Sequence, residues 1–176
     1  MFNSPAAIIV ILSSSWFFMM PEPTPVNKRT VTFSYMADTK NYGKDESFSI
    51  TKSKSLFDAS IKTAPTEFLG LNGMRFGVSG MYDTQGTYML GPGVGKTVDI
   101  GKFDTTLFIY PSYSSIQGLD RGAASGSMNW RTTFDITYRA NDAMRAGIGV
   151  MHISNSGYTE PNRGIEAVRF TLEYDF

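Results

Sequence analysis

The chain of 176 residues contains no cysteine and a single histidine, His152. Disulfides, a cysteine nucleophile and metal sites built from Cys or several His side chains are therefore excluded, and we expect no metal and no cofactor. Lys and Arg together number 16, as do Asp and Glu, so the formal net charge is zero. A nucleic-acid partner usually requires a basic excess, and the charge balance gives no support for one.

Long runs of helix-forming residues are also missing, whereas aromatic residues make up 14% of the chain and glycine contributes 17 residues. This composition is typical of an all-β protein. Beyond the N-terminus there is no run of about 18 apolar residues of the kind that forms a membrane-spanning helix. Membrane β-barrels remain possible, because their strands carry apolar residues only at every second position.

The N-terminal stretch "PAAIIVILSSSWFFMM" is apolar, and the Pro-rich stretch "PEPTPVNKR" follows it. This pattern predicts a signal or targeting segment over residues 1–24 and a folded domain over residues 25–176. No basic residue precedes the apolar run and no clean small-x-small cleavage site follows it. The alternative is an uncleaved anchor or a misassigned start.

Residues 127–139, "SMNWRTTFDITYR", alternate over their whole length, with apolar residues at even and polar residues at odd positions. Alternation of this length predicts a tilted strand that crosses a bilayer, since soluble strands average about 5–6 residues. Asn141 and Asp142 in "RANDAM" predict a tight turn after this strand. Further strands are predicted over residues 29–36, 47–53, 72–81, 86–98, 103–115, 143–154 and 164–176. The total of about eight predicts an eight-stranded antiparallel transmembrane β-barrel.

The last strand, "EAVRFTLEYDF", places Val168, Phe170, Leu172, Tyr174 and Phe176 on one face. A C-terminal Phe with apolar residues at every second position before it resembles the assembly signal of bacterial outer-membrane barrels. The alternative is an ordinary amphipathic edge strand, which would be an aggregation hazard in a soluble protein. Barrel closure would remove that edge, and lipid would cover the apolar face.

The stretch "GPGVGKT" at residues 91–97 invites comparison with a phosphate-binding P-loop. The P-loop pattern needs a further Gly at the position occupied by Leu90, and the residues that follow do not begin a helix. The stretch is therefore interpreted as a glycine-rich strand and turn.

The stretch "HISNSGYTEPNRGIE" at residues 152–166 brings a His, a Ser and a Glu close together. In the predicted barrel, parity places His152, Ser154 and Glu166 on the lipid-facing side. Glu166 would lie roughly 25 Å above the periplasmic end, given about 3.3 Å per residue and a tilt of about 40°. Polar side chains facing lipid usually mark function, and these three types suffice for a hydrolytic triad. The other interpretation is three unrelated polar residues at a hairpin tip.

The same stretch resembles the C-terminal motif of the PagL-type lipid A deacylases, H-x-S-N-x-G followed by P-N-x-G-I-E, at matching spacing. The close match covers about 30 residues. The resemblance implies an outer-membrane barrel that hydrolyses the ester-linked acyl chain at the 3 position of lipid A, the lipid anchor of lipopolysaccharide. It also implies roles for individual residues: His152 is the general base, Ser154 the nucleophile and Glu166 the residue that orients the histidine. Asn155 and Gly157 would build the oxyanion hole, and Asn162 would help to hold the histidine.

Two other classes of protein remain to be distinguished. One is a non-catalytic structural or adhesion barrel of the outer membrane. The other is a soluble lipocalin-like barrel, which the alternation disfavours because its apolar face would have to line the interior.

Overall fold

The structure is a computed structural model and describes residues 28–39, 50–84, 86–115, 128–155 and 165–176. These residues form nine strands: β1 (Thr30–Thr39), β2 (Ile50–Lys62), β3 (Thr66–Phe68), β4 (Leu71–Asp83), β5 (Tyr88–Ile100), β6 (Phe103–Ser115), β7 (Met128–Arg139), β8 (Met144–Ser154) and β9 (Ile165–Asp175). Eight of them pair antiparallel with their neighbours, and the pairing of β1 with β9 closes the sheet. The three-residue β3 pairs only with β4. The predicted eight-stranded barrel is confirmed.

Strand boundaries agree best with prediction where the alternation is strongest. The predicted strands over residues 103–115, 127–139, 143–154 and 164–176 match β6 to β9 within one residue. The second strand lies further along the chain than the predicted 47–53, of which residues 47–49 are outside the described part. In β2 the small Ala59 interrupts the outward apolar series, which weakens the pattern. The short β3 was not predicted. Within the described residues, no helix is long and apolar enough to cross a membrane.

The two faces of the sheet differ sharply in chemistry. In β9, Phe170 and Leu172 are 53% and 56% exposed, whereas the alternating Arg169, Thr171 and Glu173 are buried in the lumen. Exposed aromatic and aliphatic side chains cover the outer face of the other long strands in the same way. The lipocalin-like alternative needs the reverse arrangement and is therefore wrong. An apolar exterior around a charged interior suits a barrel surrounded by lipid.

Cross-strand pairing defines the tilt of the strands. One row of directly paired residues runs round the whole barrel through Tyr88, Tyr82, Phe57, Tyr35, Phe170, Ile148, Ile136, Thr105 and Val98. The row returns to β5 ten residues from its start, at Val98. Ten residues of stagger over eight strands corresponds to a tilt of roughly 40°. The end of the barrel that carries residues 155 and 165 is here called the loop end. From β9 through β1 and β2 to β4, the row rises towards this end.

The opposite end, called the turn end, carries the connection between β7 and β8 and the C-terminus. Between β7 and β8, the side-chain oxygen of Asn141 accepts hydrogen bonds from the backbone N–H groups of Ala143 and Met144, both at 2.9 Å. This is the turn predicted from Asn141 and Asp142. Backbone hydrogen bonds between Arg29 and Phe176 close the seam of the barrel at the same end.

The lumen is ionic towards the turn end and contains an apolar cluster nearer the loop end. Asp58 accepts from Arg131 at 2.8 Å and from Arg169 at 3.3 Å. Arg145 pairs with Asp104, Glu173 and Asp175, and Lys62 lies 2.8 Å from Glu173. The apolar part is a buried cluster, here called the luminal plug: Met36, Leu56, Met81, Met89, Met151, Ile153, Ile165 and Ala167.

The stretch "GPGVGKT" lies within β5, as part of a strand. Gly93 faces the lumen, where a Cβ would come within 2.2 Å of the Tyr110 ring, so glycine is needed for close packing. Tyr110 in turn stacks on Phe108, with ring centroids 5.3 Å apart. The glycines thus make room for luminal aromatic rings. The interpretation as a glycine-rich strand is confirmed, whereas the turn predicted with it is wrong, because the whole stretch lies within β5.

Candidate active site

The register between β8 and β9 determines how the candidate site is assembled. His152 lies directly opposite Glu166, and Val150 lies directly opposite Val168. Further towards the turn end, Arg145 lies opposite Glu173 and pairs with it inside the lumen at 3.1 Å. Because a one-residue slip reverses the faces of a strand, these luminal ion pairs keep His152 and Glu166 on the outer face.

His152 and Glu166 are close but are not hydrogen-bonded in this structure. Nδ1 of His152 lies 3.8 Å from Oε1 of Glu166, and the two side chains are only 15% and 14% exposed. Nδ1 is buried and has no hydrogen-bond partner within the described part of the chain. Since N–H···O bonds extend to about 3.2 Å, a small rotation of either side chain would bring the carboxylate onto Nδ1. The arrangement is therefore one rotation away from a carboxylate–imidazole pair.

Ser154 ends β8 on the same face as His152, two residues further towards the loop end. Side chains at i and i+2 point to the same side of a strand, about 6.6 Å apart at the backbone. With Nδ1 directed at Glu166, Nε2 is the ring nitrogen left to take a proton from a hydroxyl. The three residues thus have the order that a Ser–His–acid triad requires. Among the described residues, no group of three or more His, Asp or Glu side chains is placed to hold a metal ion.

The supporting residues implied by the sequence fall into two groups. Asn155 directly follows β8 and is 1% exposed, with the parity of the luminal residue Ile153. Its backbone N–H directly follows Ser154 in the chain, which is a position that oxyanion donors commonly occupy. Gly157 and Asn162 lie outside the described residues. The oxyanion role of Asn155 and Gly157 and the role of Asn162 in holding the histidine stay predictions.

Two neighbours on β7 were not singled out from the sequence. Trp130 lies directly opposite Ser154, and Thr132 lies directly opposite His152 on the side away from Glu166. Trp130 is 41% exposed on the outer face. Directly paired side chains have Cβ atoms about 4.5–5.5 Å apart, so the indole can flank the serine. The sequence feature that could have revealed these two neighbours is the predicted turn at Asn141 and Asp142. This turn sets the register of the β7–β8 hairpin, and so determines which residues of the two strands pair.

The luminal plug lies directly behind the candidate site. Met151 and Ile153 alternate with His152 and Ser154 along β8, and Ile165 and Ala167 flank Glu166 on β9. All four are at most 4% exposed. The strands that carry the polar residues are therefore held by a close-packed apolar interior. Such backing holds the candidate site on rigid elements.

Fold and outer surface together define a class of protein: an outer-membrane β-barrel whose outer wall carries His152, Ser154 and Glu166 on the face of the β8–β9 pair. A family model described as lipid A 3-O-deacylase (PagL) matches residues 72–175. The match covers more than half of the chain, and the chain belongs to this family of ester hydrolases of the bacterial outer membrane. The alternative class, a non-catalytic structural or adhesion barrel, is therefore wrong.

Solved structures agree on the fold. The crystal structure of the outer membrane enzyme PagL has a TM-score of 0.56 at 15% identity, covering 82% of this chain and 97% of that chain. A de novo designed transmembrane β-barrel has a TM-score of 0.57 at 11% identity, covering 89% of this chain and 100% of that chain. Neisserial surface protein A has a TM-score of 0.51 at 10% identity, covering 85% and 97%. No curated protein sequence matches the chain significantly.

Proposed function

We propose that the protein removes the 3-position ester-linked acyl chain of lipid A by a Ser–His–Glu mechanism on its lipid-facing wall. Family membership supports the substrate and the reaction class. The observation that supports the mechanism is the direct pairing of His152 with Glu166, with Ser154 on the same face of β8. Since the site faces outward, the lipid would reach it laterally from the outer leaflet without entering the filled barrel.

The proposed reaction has two steps. Oγ of Ser154 attacks the acyl carbonyl carbon while Nε2 of His152 takes the hydroxyl proton. The resulting oxyanion is stabilised by N–H donors of the segment after Ser154, where Asn155 and Gly157 are the candidates. The ester C–O bond then breaks, and His152 returns its proton to the departing lipid hydroxyl. Water, deprotonated by His152, then attacks the acyl carbon of the acyl-enzyme. The bond between that carbon and Oγ of Ser154 breaks, His152 returns the proton to Oγ, and the fatty acid is released.

Glu166 and Asn162 are assigned positioning roles in this mechanism. A carboxylate beside Nδ1 selects the tautomer in which Nε2 is free and stabilises the imidazolium that forms. Asn162 is assigned to the same task through the family motif. No metal or cofactor takes part in the proposed steps.

The test is mass spectrometry of lipid A from cells that express Ser154→Ala. We expect loss of deacylation by a factor on the order of 10⁴–10⁶, with an intact barrel. Ser115→Ala is a matched control, because Ser115 also ends a strand at the loop end, with intermediate exposure, and pairs with Tyr88 far from β8. Heat-modifiable migration in gels checks folding. If Ser154→Ala still releases the acyl chain, the nucleophile assignment is wrong.

A further inference from the structure

A lysine lies on the lipid-facing side of β5, far from the candidate site. Its neighbours along the strand face the lumen. A Cβ at Gly95 would come within 2.4 Å of the luminal Phe108 ring, and Thr97 shares a hydrogen bond of 3.1 Å with the buried Thr106. Lys96 between them therefore faces outward, with intermediate exposure. Among the residues of the eight wall strands whose side chains the structure describes, no other Lys or Arg faces lipid.

The cross-strand register gives the depth of Lys96 in the membrane. It pairs with Leu107 on β6, and the same row continues through Phe134 on β7 to Val150 on β8. Val150 lies two residues nearer the turn end than His152. Over the three strands from β8 to β5 the row descends by about four more residues. Lys96 is thus about six residues, or roughly 15 Å, nearer the turn end than His152, in the opposite half of the apolar band of about 25 Å.

The ammonium group of Lys96 has a route to the interface at the turn end. Lys96 lies four residues, or roughly 10 Å, from Ile100, where β5 ends. A charged side chain that faces lipid costs most at the midplane and least at the interface. Lysine therefore extends its apolar stem along the wall and places its charge among the headgroups. The directly paired Phe103 and Tyr138, both about half exposed, mark this interface on the adjacent strands.

Two further donors lie beside this route. Thr105, on the outer face of β6, is directly opposite Val98 and is therefore a diagonal neighbour of Lys96, about 7–8 Å away at the backbone. Lys102 is exposed in the turn between β5 and β6. The turn end is the end at which bacterial barrels face the periplasm, because their periplasmic connections are short. The donors therefore surround the position of a headgroup in the periplasmic leaflet.

The acidic residues of the β5–β6 hairpin face the other way. Asp99 and Asp104 are the only Asp or Glu residues between positions 88 and 115. Both pair with Arg139, at 2.9 and 2.8 Å, and Asp104 also pairs with the luminal Arg145 at 2.8 Å. The outer side of this hairpin thus carries positive charge and no carboxylate of its own.

We propose that the outer side of the β5–β6 hairpin binds the phosphate of an anionic phospholipid in the periplasmic leaflet. The ammonium groups of Lys96 and Lys102 and the hydroxyl of Thr105 donate hydrogen bonds to the phosphate oxygens. Two lysines without an outward carboxylate in the hairpin complement a headgroup of net negative charge, such as phosphatidylglycerol, better than a zwitterionic one. The depth of Lys96 separates this lipid from an outer-leaflet lipid at the candidate site. The proposal does not depend on the triad.

The experiment titrates purified full-length protein in mild detergent with phosphatidylglycerol and counts bound lipid by native mass spectrometry. Lys96→Met keeps the apolar stem and removes the charge, so the Kd should rise roughly fivefold. Lys96→Arg keeps the charge and should bind as the wild type does. Lys28→Met is the control and should also bind normally, because Lys28 lies at the turn end outside the hairpin, where it donates to the backbone oxygen of Asp142 at 2.9 Å. Heat-modifiable migration checks folding.

Several results would overturn the proposal. They are equal retention by the wild type and Lys96→Met, equal loss in Lys96→Met and Lys96→Arg, and equal loss in Lys96→Met and Lys28→Met. Retention of phosphatidylcholine as strong as that of phosphatidylglycerol would contradict the anionic headgroup, and stronger retention of lipid A would contradict the leaflet. Displacement of the lipid by inorganic phosphate would assign the hairpin to a free anion and overturn the proposal too. Unchanged phosphatidylglycerol binding in Ser154→Ala supports a site that is separate from the triad.

Discussion

His152 and Glu166 face each other across the β8–β9 ladder, with Nδ1 and Oε1 3.8 Å apart. Both belong to strands whose luminal sides are packed against the plug, so the backbone fixes their separation. Only side-chain rotation remains to bring them into hydrogen-bond contact. A carboxylate held in this way is placed to orient the imidazole.

The first prediction concerns this pair. Glu166→Ala should lower kcat/KM substantially but one to two orders of magnitude less than Ser154→Ala, because the acid only orients and stabilises the histidine. Glu166→Gln should lie between the wild type and Glu166→Ala, since the amide oxygen can still accept from Nδ1–H. The measurement is kcat/KM on a dispersed ester in detergent. Wild-type activity in Glu166→Ala would remove Glu166 from the mechanism.

The second prediction concerns Trp130, which lies opposite Ser154. Trp130→Ala should lower kcat/KM for lipid A roughly tenfold, because an apolar contact beside the nucleophile is worth about 1–3 kcal/mol. Trp130→Phe should recover most of the loss, and a small water-soluble ester should be little affected. Tyr138→Ala is the control, since Tyr138 is similarly exposed, at 44%, at the turn end of β7. Equal losses in Trp130→Ala and Tyr138→Ala would argue against a specific contact.

The third prediction tests the two faces of the wall, and the absence of native cysteine makes it simple. Phe170→Cys and Ile148→Cys should react with lipid-soluble thiol reagents in membranes. Thr171→Cys and Thr133→Cys, each replacing a side chain that is 2% exposed, should be protected from those reagents. The measurement is the labelling yield of each cysteine variant, determined by mass spectrometry. The reverse pattern would place His152 and Glu166 in the lumen.

The fourth prediction concerns the ionic lumen. Asp58 contacts both Arg131 and Arg169 and is buried, so Asp58→Ala leaves two guanidinium groups without that partner. We expect a loss of about 3–5 kcal/mol in the free energy of unfolding. Asp99→Ala is the matched control: Asp99 pairs with Arg139, whose side chain is 27% exposed, and the loss should be at most about 1 kcal/mol. Urea titration in detergent, followed by heat-modifiable migration, compares the two. Equal losses would mean that the luminal pairs contribute no more than a peripheral one.

The sequence predicted the strands in which apolar and polar residues alternate clearly. β7 and β9 carry uninterrupted alternation, and their bounds and faces followed from it. The predicted bounds of β2 were wrong because its luminal side chains are polar and the small Ala59 lies on its outer face. Few apolar residues are left to show the alternation. The pairing of Trp130 with Ser154 depends on the register between β7 and β8, which neither strand specifies by itself. The family motif predicted His152, Ser154 and Glu166 as the candidate triad, whereas their neighbours became visible only in the closed barrel.

The last prediction concerns pH. Neutral imidazole is the form that accepts a proton, so activity should rise with pH and level off once His152 is deprotonated. Below the titration range, which for an ordinary histidine lies near about 6.5, kcat/KM should fall about tenfold per pH unit. A single ionisation is expected on this limb, because the chain contains one histidine. The measurement is a kcat/KM profile on a dispersed ester, repeated with a metal chelator. A flat profile across the histidine range, or activity abolished by the chelator, would contradict the serine-hydrolase mechanism, and the barrel assignment would be unaffected.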